Sequence, residues 1–171
     1  MTKMTSAYAN KLLRQLGEDK GYWTRKEAES RAYVAAEGEV PVIPEYDYAT
    51  VTTTISEIDN KVCAIKHAVN LSNATAAIDV NGEAMTVDQI LIRMAQLNQR
   101  KLVLDVMRRM QPKERLSIRT MSVRNMVPEY EYINFELELV KNDFERVSNE
   151  IMQMQIALDY HNQTVEFEVD M

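Results

Sequence analysis

The chain has little of what interrupts helices. Among 171 residues there are four glycines and four prolines. So few turn-formers argue against a β-sandwich or barrel and for a helix-rich protein. The single cysteine, Cys63, excludes an internal disulfide, and its place within an apolar helical stripe predicts a small buried hydrophobe. The only two histidines, His67 and His161, fall on different predicted helices. Neither lies in a recognised metal-ligand motif, so no metal or cofactor is expected. His161 reads as the last, partly exposed member of a seam and His67 as a flanking surface position.

There is no glycine-rich phosphate loop, nucleophile elbow or supported Ser/His/Asp spacing, so the chain is not expected to be an enzyme. Asp79, Asn81 and Glu83 share a turn that is too short for a calcium loop. Uninterrupted apolar runs fall well short of the ~20 residues that span a bilayer, so no transmembrane segment is expected. Met1–Ser6 lacks the apolar core of a signal peptide, and a cytoplasmic, bacterial-type protein is expected.

What is abundant is periodic apolar patterning. Tyr130, Ile133, Leu137, Val140, Phe144, Val147, Ile151, Met154, Leu158 and His161 follow alternating steps of three and four. This is the seam of a long helix built to lie along other helices. Val51, Ile55, Ile58, Val62, Ile65 and Val69 repeat the rhythm. Eleven methionines, among them Met94, Met107 and Met154, read as filler on or beside these apolar faces.

The predicted architecture is mainly α in a single domain over 1–171. It is a long antiparallel helical hairpin or bundle with a small two- or three-stranded β element. Helices are expected at about 5–37, 46–72, 86–111 and 129–162, and short strands at about 75–80 and 164–169. The helices at 46–72 and 129–162 are expected to pair. Gly17 and Gly21 predict a kink in the first helix, because each costs roughly 1 kcal/mol relative to alanine. Gly38 is expected to close that helix, followed by an extended Val40–Pro44 linker. Asn81-Gly82 predicts a two-residue hairpin turn, and Thr86-Val87-Asp88-Gln89 a capping box. The terminal strand needs a partner, for which 75–80 and 116–123 are the candidates.

In this order of elements the chain resembles the septicolysin-like family of small bacterial proteins of unknown function. The positions that carry the resemblance are Asn73, Thr75, Gly82, Thr86, Arg93 and Leu97, then Asn162, Gln163, Thr164, Val165 and Glu166. Family members often carry tryptophan where this chain has Gln163. The resemblance implies a helical, oligomeric, cytoplasmic protein and, through the family's name, a cytolysin. It assigns no catalytic residue.

Charge is segregated. Between positions 93 and 124 stand Arg93, Arg100, Lys101, Arg108, Arg109, Lys113, Arg115, Arg119 and Arg124, with only Asp105 and Glu114 against them. That is a local charge of +7 in a chain of net −6. Such a segment suits a polyanion or a partner, and Arg100, Lys101, Arg108, Arg109, Lys113, Arg115, Arg119 and Arg124 are the candidate binding residues. It equally suits internal neutralisation by the acidic helix that follows, which opens with Glu129, Glu131, Glu136 and Glu138. The basic stretch has no interleaved aromatics, which counts against nucleic acid. The expected function is therefore a non-catalytic structural or interaction protein that forms homo-oligomers through its heptad-patterned helices. The alternatives are a polyanion- or nucleic-acid-binding module and a membrane-active cytolysin.

Overall fold

A computed structural model describes residues 1–115 and 128–170. The expected 116–123 segment, with Leu116, Ile118, Met121 and Val123, lies outside the described residues, as do Arg119 and Arg124. The chain is mainly α with small β elements, as the patterning predicts. In order it forms β1 (Thr2–Thr5), α1 (Ser6–Ser30), α2 (Tyr48–Thr75), β2 (Ala77–Val80), β3 (Glu83–Thr86) and α3 (Val87–Met107). There follow β4 (Lys113–Arg115), β5 (Tyr130–Tyr132), α4 (Leu137–Thr164) and β6 (Glu166–Val169). The residues group into two compact units, Met1–Ala76 with Asp159–Met171, and Ala77–Leu158.

The first unit is an antiparallel helix pair capped by a two-stranded sheet. Ala9 and Leu16 of α1 and Ile58 and Ile65 of α2 form its core with Met4 and Val169. On α2 the most buried positions, Val51, Ile58 and Ile65, are seven apart, as in a coiled-coil seam. Lys20 meets Asp59 at 2.6 Å, while Trp23 lines a recess with Val51 further back along α2. Advancing along α1 thus means retreating along α2. Thr5 caps α1 by accepting from the Tyr8 N–H at 3.2 Å. Asp47 caps α2 by accepting from the N–H groups of Ala49 and Thr50 at 3.3 and 3.1 Å.

The sheet in this unit corrects an expectation. β6 pairs antiparallel with β1, with Thr2 opposite Val169 and Met4 opposite Phe167, and not with 75–80. Met4 and Val169 share the inner face and are buried, while Lys3 and Glu168 share the outer face 3.9 Å apart. Four residues at the start of a chain carry too little periodicity to reveal a strand, and their partner is at the other end.

In the second unit α3 and α4 run antiparallel. Ile90, Leu97 and Leu104 from α3 meet Val140, Val147, Met154 and Leu158 from α4. Arg93 pairs with Glu150 at 3.0 Å, whereas Lys101 and Arg108 lie over Phe144, which sets the direction. β2 and β3 form a hairpin through Asn81 (φ 57°) and Gly82 (φ 87°), the two positive-φ positions of a type I′ turn. At the start of α3 the Gln89 side chain accepts from the Thr86 N–H at 2.9 Å, and the Thr86 hydroxyl meets the Asp88 carboxylate. β4 and β5 form a second ribbon.

Within the first unit α2 packs on α1, and within the second α4 packs on α3. Other expectations need correction. α1 runs unbroken through Gly17 and Gly21, since a packed apolar face outweighs two unfavourable propensities. It ends at Ser30, and Gly38 (φ 83°) serves a separate turn in which the Glu39 N–H donates to the Ala36 carbonyl at 3.1 Å. α4 starts at Leu137, because Tyr130 is drawn into β5 and Ile133 lies between the two elements.

Candidate interaction surfaces

Most of the described cations of the 93–115 stretch already have partners in their own unit. Arg93 is bound to Glu150. Arg108 and Arg109 both reach Asp105, each at 2.6 Å. The hydrogen bond from Arg108, then the charge of Arg109, hold the Asp105 carboxyl below its usual range, against burial, which raises it. Lys101 Nζ and the Arg108 guanidinium carbon lie 5.4 and 4.0 Å from the Phe144 ring centre. Among the described residues, Arg100 and Arg115 make no ion pair.

Lys113 and Arg115 stand on the β4–β5 ribbon, opposite Tyr132 and Tyr130 respectively. These four exposed side chains share one face of the ribbon, while Glu114 and Glu131 share the other. Lys113 Nζ is 4.2 Å from the Tyr130 ring centre and 5.4 Å from that of Tyr132. Tyrosines from beyond the basic stretch are thereby brought beside its cations. Sequence reasoning missed this, because the pairing of β4 with β5 bridges a long intervening segment.

Each unit buries one stripe per helix and leaves the opposite stripe open. α3 shows this most clearly. Leu91, Ile92, Leu102, Val103 and Val106 are 50, 59, 70, 50 and 65% exposed. Ile92, Ala95, Gln99, Leu102 and Val106 repeat the three–four spacing on the side away from Ile90, Leu97 and Leu104. α4 exposes Leu139, Met152, Ile156 and Tyr160. The signal for these outer stripes was present in the sequence, but the denser stripe on each helix masked it.

Two grooves accompany these faces. One of about 530 Å³ runs between α2 and β6, past Ala64, His67, Ala68, Leu71, Thr75 and Phe167. The other, of about 430 Å³, lies between α3 and α4 and is bounded by Asn98, Lys101, Leu102, Asp105 and Phe144. The first groove also has Ser72, Glu168 and Asp170 on its wall, and the Thr75 hydroxyl there donates to the Leu71 carbonyl at 2.8 Å.

Cys63 and His67 stand one turn apart on α2, while His161 lies on α4. Cys63 is exposed, contrary to the buried site its stripe suggests, because it lies on the helix side away from Ile58 and Ile65. His67 is exposed in the α2–β6 groove. His161, expected to be partly exposed, is buried, and burial pushes its pKa down. No group of metal-ligating side chains occurs among the described residues. No helix among them is long and apolar enough to cross a membrane.

No protein-family model and no curated protein sequence matches this chain. A crystal structure of a functionally unknown conserved protein from Corynebacterium diphtheriae is similar in fold, with a TM-score of 0.60 and 12% identity. The match covers 98% of this chain and 100% of that one. The likeness shows that this arrangement of elements occurs in another protein, and it carries no activity across.

Proposed function

We propose that this protein is a non-catalytic, cytoplasmic interaction protein that self-associates through the outer faces of its paired helices. The observation that carries this reading is the set of large apolar side chains left open on α3 and α4. Scattered exposed hydrophobes are ordinary on a monomer, but a spaced apolar stripe on a helix already packed on its other side is an interaction surface. Internal engagement of Arg93 and Arg108 supports the same reading, since it lowers the charge open to a polyanion. Sedimentation velocity across a micromolar concentration series tests it. A stable oligomer is the expected result, and a strictly monomeric protein overturns the reading.

A second reading has one specific observation in its favour. The ribbon face of Lys113, Arg115, Tyr130 and Tyr132 combines cations with stacking surfaces, as single-stranded nucleic-acid sites do. Under this reading an oligonucleotide binds with steep salt dependence, and Tyr130→Ala with Tyr132→Ala weakens it. Absence of binding at low salt removes it.

A further inference from the structure

The outer face of α3 has an internal order that bears on what covers it. On α3, Asp88, Ala95 and Leu102 form one row, prolonged by Arg109 in the turn just past the helix, with Ile92, Gln99 and Val106 the next and Gln96 and Val103 a third. All nine positions are exposed. From Ile92 to Val106 these rows carry no charge, in a chain that is 27% charged. A helix surface meant for water would not leave such a strip uncharged. Ile92, Leu102, Val103 and Val106 of these rows, with the adjoining Leu91, expose on the order of 500 Å², the upper range for the largest patch on a monomer. A standard interface takes roughly 800 Å² per partner, so a patch of this size suits its apolar centre.

The rows are self-complementary about Gln99. When a second α3 is laid antiparallel across the first with the two-fold axis at Gln99, Ile92 meets the partner's Val106. Ala95 meets the partner's Leu102, small against large, and Gln96 meets the partner's Val103. Gln99 meets its own copy, where each amide can donate to and accept from the other. The charges select the direction. The strip is closed by Asp88 at one end and Arg109 at the other, and Arg109 is 69% exposed at its side chain. An antiparallel pair brings each Asp88 to the partner's Arg109, whereas a parallel pair sets like against like. The contact uses the same patch on both copies and closes on itself, so it gives a dimer rather than a filament.

We propose that a second copy of this chain covers α3, through an antiparallel α3–α3 contact centred on Gln99. This rests on the self-association reading and names its surface. Leu102 lies near the middle of the strip and at the lip of the α3–α4 groove, clear of the buried seam. Leu102→Glu therefore tests the contact without touching the core.

The experiment uses the full chain. Sedimentation equilibrium of the parent protein is expected to show a dimer. Leu102→Glu is expected to weaken it by at least about tenfold, with helicity by circular dichroism unchanged. Orientation is read by cysteine cross-linking in a Cys63→Ser background. A mixture of Ile92→Cys and Val106→Cys chains is expected to form a covalent heterodimer on mild oxidation, and Ile92→Cys alone is expected to form little. A parent dimer that Leu102→Glu leaves intact overturns the α3 contact while self-association stands. A parent monomer overturns both. Should Leu102→Glu lose its helicity, the cross-links decide. Efficient self-cross-linking of Ile92→Cys, or none between it and Val106→Cys, overturns the antiparallel register.

Discussion

The central guanidinium carbon of Arg108 lies 4.0 Å from the Phe144 ring centre, while its nitrogens hold Asp105. One cation thus ties the end of α3 to the side of α4 and to its own preceding turn. A cation over a ring contributes about 0.5–2 kcal/mol, depending on exposure. Phe144→Leu and Arg108→Met are each expected to lower unfolding stability in urea. A double-mutant cycle should return a coupling of about 1 kcal/mol. Additive effects would show that the two side chains merely lie together.

Burial keeps His161 from taking a proton at its ordinary pKa of 6.5. The unfolded chain has no such restraint. Stability linked to this group is therefore complete above pH 6.5 and is lost as the pH falls from there to the depressed folded-state value. The melting temperature of the parent protein should fall across that window. His161→Leu should flatten the fall, because nothing remains at that site to protonate. A variant that keeps the parent slope would place the proton uptake elsewhere.

Gly17 and Gly21 sit inside α1, and a Cβ added at either would meet nothing within 4 Å. Replacement by alanine removes backbone entropy from the unfolded chain without a clash. Each change is expected to stabilise by up to about 1 kcal/mol, with the two adding. Denaturant midpoints check this, and destabilisation by either would mean that α1 needs its glycines for a contact.

Cys63 is exposed on α2. A thiol reagent should modify it stoichiometrically in native protein, at close to the rate seen in denaturant. Protection in the native state would mean that α2 also lies in an interface.

Among the described residues, the buried hydroxyl of Ser148 on α4 has no hydrogen-bond partner. An unsatisfied buried polar group costs about 1–3 kcal/mol. Ser148→Ala should raise stability by an amount of that order, read from urea unfolding, and a loss of stability would reveal a partner for the hydroxyl.

Local rules were legible wherever they act within a few residues. The Asn81-Gly82 turn, the Gln89 arm of the capping box and the seven-residue spacing of Val140, Val147 and Met154 all stand where short-range chemistry puts them. The same rules misplaced the start of α4. An apolar rhythm that includes Tyr130 and Ile133 cannot distinguish a helix from a strand of a distant hairpin. They also misplaced Cys63, since a residue one step off a seam points away from it.

The candidate surfaces divide along the same line. The cations at 93–115 could be counted in the sequence, but whether they are free depends on neighbours such as Glu150, more than fifty positions away. The aromatic company of Lys113 likewise exists only once β5 lies beside β4.

By itself, then, the sequence determined that this chain is helical, where its hairpin turns, and which stripes are apolar, because propensity, capping and periodicity are local properties. Only the tertiary structure decided which stripe is buried and which left open. Burial is a competition among all apolar faces for a partner, and chain connectivity brings α1 to α2 and α3 to α4 first. The outer faces of α3 and α4 are left open by that competition, and α3 is where the proposed contact would fall.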